Sequence, residues 1–312
     1  SSTITGDFPP NSKVTGTKLS EAAFITFLPI CVPPVNKRWS NGWRGRSWSR
    51  WCRPRNVIKM IKSSETIPFD IDNVIARRAR MGLIALATDH VIEHELFRLV
   101  HPIAGTQIYT TRIPMEPEVT PRSLHRMKQS LTNSAKTLLP GISFNVIGYG
   151  CTSASVIIGE KEISEAIQLA HPNVAVTTPI TACLAALKTL NATRIGLLTP
   201  YVESVNQPIR EYFKRNKIEI VKSATFSEID DNRAGMITPD SIKRAVLEVF
   251  SGLDLDLIFI SCTSLRAAEL IPELETLLGV HVTSSNHALA WHMLRLSGVL
   301  DPLPSKGNLF LL

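Results

Sequence analysis

The sequence lacks several features that would place it in a common class of protein. No apolar run reaches the roughly 18 to 20 residues of a membrane span in this 312-residue chain. The five cysteines are odd in number and show no Cys-x-x-Cys or His-rich spacing, so no zinc site is predicted. No Gly-rich phosphate loop is present, and a nucleotide cofactor is therefore not indicated. These absences predict free thiols in a reducing, cytoplasmic compartment.

A basic surface over the whole protein is also missing, although the formal net charge is +7. Residues 1–80 hold 14 of the 34 Lys and Arg residues but only 5 of the 27 Asp and Glu residues. The remainder of the chain is close to neutral, so nucleic acid is not expected as a partner of the body of the protein.

Residues 1–65 differ from the rest in composition. Four tryptophans alternate with lysines and arginines over residues 37–55, among many Pro, Gly, Ser and Asn residues. Such a pattern can bind single-stranded nucleic acid or anionic lipid. We favour a poorly ordered extension, a targeting segment or sequence upstream of a misassigned start.

Short apolar, β-branched runs alternate with segments of helical period from about residue 80 onward. This alternation predicts an α/β fold with mainly parallel sheets. The predicted strands are 82–88, 107–113, 144–150, 174–178, 194–200, 218–226, 256–261 and 280–284. They form two sets of four, which predicts two pseudo-symmetric lobes, each a four-stranded sheet flanked by helices. We expect the first lobe over 66–180, the second over 181–285, and the C-terminal helical segment 286–312 packed back on the first.

The two sets of strands resemble each other in sequence. Each set carries Cys-Thr-Ser directly after its third strand, at Cys151 in GYGCTSAS and at Cys262 in FISCTSLR. Gly82 precedes the first of these cysteines by 69 residues, and Gly196 precedes the second by 66. An internal duplication with one Cys-Thr-Ser in each half is the simplest explanation.

Both cysteines follow strand ends, where α/β sheets bind ligands, and a cleft between two lobes favours a single shared site. One thiolate could remove a proton next to a carboxylate while the other thiol protonates the opposite face. Alternatively, one cysteine could add to a double bond and permit cis–trans isomerisation. Helix starts beside the cysteines would favour the thiolate. The hydroxyl groups predicted to hold the substrate belong to Thr152, Ser153, Thr263 and Ser264.

Further candidates follow the first strand of each set. Asp89 and His90 could bind substrate or tune a thiol, and Thr88 is also predicted to bind substrate. The alternative is that Thr88 or Asp89 only caps the next helix. Tyr201 and Asn206 follow the fifth strand, where Tyr201 either donates to a carboxylate or packs in a turn. Cys183 falls at a helical spacing of apolar residues and is predicted to belong to the core.

Five motifs resemble the aspartate/glutamate racemase superfamily, and within it the branch of maleate cis–trans isomerases and arylmalonate decarboxylases. They are GLIALATDHVIE, GYGCTSAS, LLTPYVESVN, SCTSLRAAELIPELE and TSSNHALAWHMLRLSG. The segment RRARMGLIALATDHVIEHE is also similar to isomerase-like proteins encoded with ectoine-utilisation enzymes. The resemblance implies an interlobe site, catalytic roles for Cys151 and Cys262, no metal or organic cofactor, and a homodimer.

Departures from the family pattern narrow the expected activity. The decarboxylase type has glycine at the first cysteine position, so the presence of both cysteines favours an isomerase or racemase. Maleate isomerases carry asparagine where this chain has Asp89, an anion that would repel a dicarboxylate and suit an amino group. Amino-acid racemases of the superfamily often carry glutamate at the position where this chain has Ser264, so glutamate and aspartate are not the expected substrates.

We therefore expect a cofactor-independent racemase or cis–trans isomerase of a small carboxylic acid, amino or N-acylamino, and no membrane partner. The alternatives are a malonate-type decarboxylase that uses Cys262 and a non-catalytic protein that binds small carboxylates.

Overall fold

The structure, a computed structural model, describes residues 66–72 and 75–312. The extension predicted over residues 1–65 lies outside the described residues. One unit of the fold spans Pro68–Leu312, and it contains all of the elements below. None of the described helices is both long enough and apolar enough to cross a membrane.

Eight strands form two four-stranded sheets in which every paired strand is parallel. The strands are β1 (Ala79–Leu86), β2 (Thr106–Ile113), β3 (Val146–Gly150), β4 (Ala175–Thr177), β5 (Arg194–Thr199), β6 (Glu219–Thr225), β7 (Leu257–Ile260) and β8 (His281–Ser284). Their orders are β2-β1-β3-β4 and β6-β5-β7-β8, so the two sheets share one topology. Each strand lies within a few residues of its predicted position, and the two-lobed α/β fold is confirmed.

Helices connect successive parallel strands, as the crossover of a parallel pair requires. They are α1 (Ile92–Val100), α2 (Pro121–Arg126), α3 (Lys128–Ala135), α4 (Thr152–Ile158), α5 (Glu160–Gln168), α6 (Pro179–Thr189), α7 (Glu203–Arg215), α8 (Asp231–Ala234), α9 (Pro239–Phe250), α10 (Ile271–Leu278) and α11 (Ser285–Leu296). Short 3₁₀ turns occupy Ala268–Leu270, Pro304–Lys306 and Asn308–Leu311.

Local sequence explains several helix boundaries. At the start of α9, Thr238 accepts a hydrogen bond from the Ser241 amide at 3.2 Å, and Pro239 takes the first helical position, where its missing N–H costs nothing. Ser284 caps α11 in the same way. Gly298 follows that helix with a φ of 75°, a left-handed conformation that glycine adopts without steric cost.

The inner strands are buried on both faces, as expected for a parallel sheet covered by helices. Every residue of β3 and β7 is buried, whereas the edge strands β2 and β6 are partly exposed. Helix α11 follows β8 of the second sheet but packs on the first, where Met293 and Leu289 lie over Gly148 of β3. A chain segment from the second half therefore completes the core beside the first sheet. The lobe boundaries given above stay a prediction.

Candidate functional site

Cys151 and Cys262 line the same cavity. Cys151 directly follows β3, and Cys262 lies two residues beyond the end of β7, so both are at the carboxyl ends of central strands. The polar lining of the cavity consists of Cys151, Ser153, Tyr201, Asp231, Cys262 and Thr263. Its apolar wall consists of Leu86, Met115, Val119 and Leu124. The structure therefore brings the two predicted cysteines to one site formed by both halves of the duplication.

Hydrogen bonds join the two Cys-Thr-Ser segments across the site. The Thr152 and Ser285 hydroxyls are 2.7 Å apart, and the same Ser285 oxygen accepts the Cys262 amide at 2.9 Å. The Thr263 hydroxyl donates to the Gly150 carbonyl at 3.4 Å. Because these groups are buried, the contacts fix the relative positions of the two cysteine-bearing loops.

The backbone presents each sulfur to nearby amides. The Cys151 sulfur accepts the Ala154 amide at 3.4 Å and caps α4, and the Ser153 hydroxyl lies 3.7 Å from it. The Cys262 sulfur accepts the Ser264 amide at 3.4 Å. Cys262 has a φ of 152°, a positive value that L-residues rarely adopt, and such strain is concentrated at functional sites.

Both thiols are held in the protonated form. Burial raises the pKa of Cys151 to about 12 and raises the pKa of Cys262 still further above its usual value. The amides of Ala154 and Ser264 act in the opposite direction, but more weakly. Asp231 and Asp89 also raise the pKa of both thiols, because a nearby negative charge disfavours a thiolate. At Cys151 the predicted effect of a helix start is present, but burial outweighs it. At Cys262 the prediction is wrong, because a turn and not a helix follows this cysteine.

Asp231 is the most important site residue that the sequence analysis did not identify. It is only 3 % exposed and it lines the cavity. Thr88 donates a hydrogen bond to its Oδ2 at 2.5 Å, and Ser264 donates to its Oδ1 at 2.8 Å. Two predicted site residues therefore hydrogen-bond a carboxylate that lines the cavity. Burial raises the pKa of Asp231. The segment EIDDNRAG has the composition of an ordinary surface turn, and no motif marks its second aspartate.

The two oxygens of the Asp89 carboxylate lie in different environments. Its Oδ1 accepts hydrogen bonds from the amides of Val91 and Ile92 at 2.7 and 2.8 Å. These bonds cap the start of α1, which is the alternative role that the sequence analysis gave to this residue. Its Oδ2 is buried without a hydrogen-bond partner. The Thr263 hydroxyl is placed to donate to the Gly150 carbonyl, but it lies near enough to Asp89 to lower the pKa of that carboxyl. Burial has the larger effect, and the pKa of Asp89 is raised overall.

Tyr201 and Asn206 occupy different positions relative to the cavity. Tyr201 lines it, and its hydroxyl lies near enough to the Cys262 thiol to lower the pKa of that thiol. Asn206 lies behind it, donating to the Tyr201 carbonyl at 2.7 Å and accepting from the Thr199 hydroxyl at 2.7 Å. The Asn206 amide therefore positions the Tyr201 turn, and its predicted contact with substrate stays a prediction. Cys183 is fully buried in the core, as predicted.

A third buried carboxylate supports the Cys262 loop from the other half of the molecule. Glu95 of α1 accepts the Ala268 amide at 2.9 Å and the Asn286 side-chain amide at 2.8 Å. The same Asn286 nitrogen donates to the Thr263 carbonyl at 2.8 Å. Burial raises the pKa of Glu95 to about 7. Within residues 66–72 and 75–312, no group of three or more His, Cys, Asp and Glu side chains is arranged to hold a metal ion.

Comparisons with known proteins agree with this architecture. The sequence model described as arylmalonate decarboxylase matches residues 117–310. The chain is 23 % identical over 240 residues to the maleate isomerase of Nocardia farcinica, covering 74 % of this chain and 94 % of that protein. It is 29 % identical over 136 residues to the arylmalonate decarboxylase of Bordetella bronchiseptica, covering 43 % and 57 %.

Among solved structures, the fold is similar to that of a mutant of the Nocardia farcinica maleate cis-trans isomerase with a covalently bound succinylcysteine intermediate. The TM-score is 0.67 at 23 % identity, and the match covers 74 % of this chain and 98 % of that one. Because the matching sequence model spans more than half of its residues, the chain belongs to the arylmalonate decarboxylase family.

Proposed function

We propose that this protein is a cofactor-independent isomerase, a racemase or a cis–trans isomerase, that acts on a small carboxylic acid with Cys151 and Cys262. The observation that carries the proposal is the placement of both sulfurs in the lining of one cavity. A lone buried cysteine is usually part of the core, as Cys183 is here, whereas two equivalent cysteines at one cavity suit chemistry on two faces of a ligand.

Two reaction routes use this arrangement. In racemisation, one cysteine as thiolate takes the proton from the carbon next to the substrate carboxylate, and the other thiol donates a proton to the opposite face. The first cysteine ends as a thiol and the second as a thiolate, so atoms and charge balance. In cis–trans isomerisation, a thiolate adds to one alkene carbon and the π electrons move toward the carboxylate. Rotation about the resulting single bond and loss of the thiolate then give the other isomer.

The relatives support a covalent role for a cysteine. The Nocardia farcinica isomerase has been solved with a succinylcysteine intermediate, which is the product expected when a cysteine adds to a four-carbon unsaturated diacid. For this chain, Ser153 and Tyr201 supply hydroxyl donors at the cavity for a substrate carboxylate. We also expect a homodimer and a reducing, cytoplasmic location.

Deuterium exchange tests the proposal. The full chain is incubated in heavy water with small 2-amino acids and their N-acetyl forms, and NMR reports deuterium at the 2-position; maleate is included to detect cis–trans conversion. We expect Cys151→Ala and Cys262→Ala each to lower turnover at least about 1,000-fold, the scale of losing one group that acts directly in proton transfer or bond formation. Cys183→Ala is the matched control and should retain activity. Unchanged turnover in both site variants would refute the assignment.

The second candidate is decarboxylation of a malonate-type acid through Cys262, favoured by the match to the arylmalonate decarboxylase sequence model. Release of carbon dioxide that depends on Cys262 but survives Cys151→Ala would select this reaction. Binding of small carboxylates without turnover would indicate a binding protein on the same scaffold.

A further inference from the structure

We propose that the substrate is a small α-amino acid in its zwitterionic form, with its ammonium group held by Asp231 and Asp89 and a short apolar side chain against the apolar wall. The inference rests on the proposed function, since it specifies the substrate class of the same site. Three features support it: a carboxylate in the cavity lining with a second one buried nearby, a lining without Lys, Arg or His, and four apolar residues in the same lining.

The two carboxylates provide a binding position for a cation. Asp231 lines the cavity, and both of its oxygens are held by hydroxyl donors that leave lone pairs available. Asp89, only 1 % exposed, has one buried oxygen without a partner next to Thr263, which also lines the cavity. An unpaired buried carboxylate oxygen is costly, and an ammonium donor would offset that cost.

No Lys, Arg or His is among the residues that line this cavity. Arg112 is close by in the fold, but its guanidinium donates to the Leu86 and Asp89 carbonyls at 3.0 Å and pairs with Glu93. A dicarboxylate would therefore meet Asp231 in the cavity lining, with Asp89 buried nearby. His90 lies near enough to lower the pKa of Asp231, but its ring hydrogen-bonds Asn232 at 3.0 Å and does not line the cavity. Like charges in such a site oppose the binding of a dianion.

The rest of the lining fits the other parts of an α-amino acid. Hydroxyl groups of Ser153 and Tyr201 can donate to a single carboxylate. Leu86, Met115, Val119 and Leu124 form a wall that offers no polar partner to a side chain. A short aliphatic group is therefore favoured over a second carboxylate or an amide.

An ammonium group would also favour the chemistry. Asp231 and Asp89 raise the pKa of both thiols, which opposes formation of the thiolate that either reaction route needs. A cation bound between these carboxylates and the sulfurs would counter that effect, so the correct substrate would itself promote ionisation of a cysteine. An N-acylated amino acid carries no such cation.

Calorimetric binding to the full chain tests the inference with four probes: 2-aminobutyrate as either enantiomer, 2-hydroxybutyrate, N-acetyl-2-aminobutyrate and maleate. We expect 2-aminobutyrate to bind at least about tenfold more tightly than the other three, the scale of one charge-assisted contact. Asp89→Asn and Asp231→Asn should each remove most of this preference. Asp254→Asn, at a carboxylate whose side chain is 96 % exposed, should keep it.

Equal or tighter binding of maleate or 2-hydroxybutyrate by the unaltered protein would overturn the inference, as would undetectable binding of both 2-aminobutyrate enantiomers. The comparison among ligands needs no variant, so it remains decisive if Asp231→Asn fails to fold. Selective binding of 2-aminobutyrate without proton exchange would refute the proposed function but support this inference. Cysteine-dependent turnover of an acid without an ammonium group, together with no preference for 2-aminobutyrate in binding, would support the proposed function but refute this inference.

Discussion

At the scale of single residues, burial and negative charge control the reactivity of the site. Cys151 and Cys262 each receive an amide hydrogen bond, which lowers a thiol pKa, yet both are buried and lie near Asp231. Desolvation destabilises a thiolate more than one long hydrogen bond to its sulfur stabilises it. The free thiols are therefore expected to react slowly until a ligand or a change of charge alters their surroundings.

Replacing Asp231 by asparagine should accelerate alkylation of the cysteines. The substitution removes a negative charge that raises the pKa of both thiols, so the thiolate fraction at a fixed mildly alkaline pH should rise, by about tenfold for each unit that the pKa falls. Iodoacetamide labelling followed by peptide mass spectrometry measures the rate at each cysteine. Asp254→Asn serves as the control. Identical labelling of the Asp231 variant and the unaltered protein would show that this carboxylate does not influence the thiols.

Glu95 is expected to make the free energy of unfolding depend on pH. Its pKa rises from 4.5 to about 7 on folding, so between these values the folded state binds a proton that the unfolded state has lost. The contribution of this group to stability is therefore lost as the pH rises through that window, by roughly 3 kcal/mol in total.

Urea unfolding of Glu95→Gln at several pH values checks this prediction. Relative to the unaltered protein, the variant should gain stability between about pH 4.5 and about pH 7. The quantity to compare is the difference in unfolding free energy between the variant and the unaltered protein, because His287 also makes stability depend on pH. Burial lowers the pKa of His287 to about 4, so below about pH 6.5 this group makes stability rise with pH, opposite to the effect of Glu95. Glu273→Gln, at an exposed carboxylate, should show no such trend. A constant difference for the Glu95 variant would contradict the prediction.

At the scale of elements, the packing of helices on the sheets limits the size of side chains in the strands. Gly82 of β1 and Gly196 of β5 occupy equivalent places in the two halves of the duplication. A Cβ atom at Gly196 would lie 2.7 Å from the Phe250 ring, whereas one at Gly82 would approach Ile147 to 3.0 Å. The aromatic ring of α9 has fewer ways to move aside than an aliphatic chain has.

Gly196→Ala is therefore expected to destabilise the protein by about 1–3 kcal/mol, the usual cost of overpacking a core. Gly82→Ala should cost less, since its closest contacts are longer. Chemical unfolding midpoints of both variants measure the difference. The ranking is wrong if Gly82→Ala proves the more destabilising of the two.

At the scale of the whole molecule, the two halves are linked through α11 and the buried hydrogen bonds of the site. Helix α11 leaves the second sheet and packs on the first, and its Asn286 joins Glu95 to the Cys262 loop. The halves therefore share both a core and a polar network, and we expect them to unfold together.

Leu289→Ala tests this cooperativity. Leu289 of α11 is fully buried beside the first sheet, and its truncation should lower the free energy of unfolding by about 2–5 kcal/mol. If the halves unfold as one unit, native-state hydrogen exchange should show equal losses of protection for the slowest amides of β3 and β7. Loss confined to the first sheet would mean that the halves unfold separately.

The sequence by itself determined the duplication and the positions of the eight strands along the chain, and local capping by Thr238 and Ser284 accounts for two of the helix starts. It also identified Cys151 and Cys262 as a pair. These features depend on short-range periodicity, capping side chains and repeats, all of which are written in neighbouring residues. The catalytic and binding roles of the predicted site residues stay a prediction.

Only the tertiary structure decided what surrounds the thiols. The Thr88–Asp231 contact joins residues 143 positions apart, and the Glu95–Asn286 contact joins residues 191 positions apart. Neither has a local signal, because an aspartate in a turn and a glutamate in a helix are ordinary surface residues until the fold buries them. The raised pKa of each thiol has the same origin: desolvation and nearby charge depend on atoms that distant parts of the chain bring to one cavity.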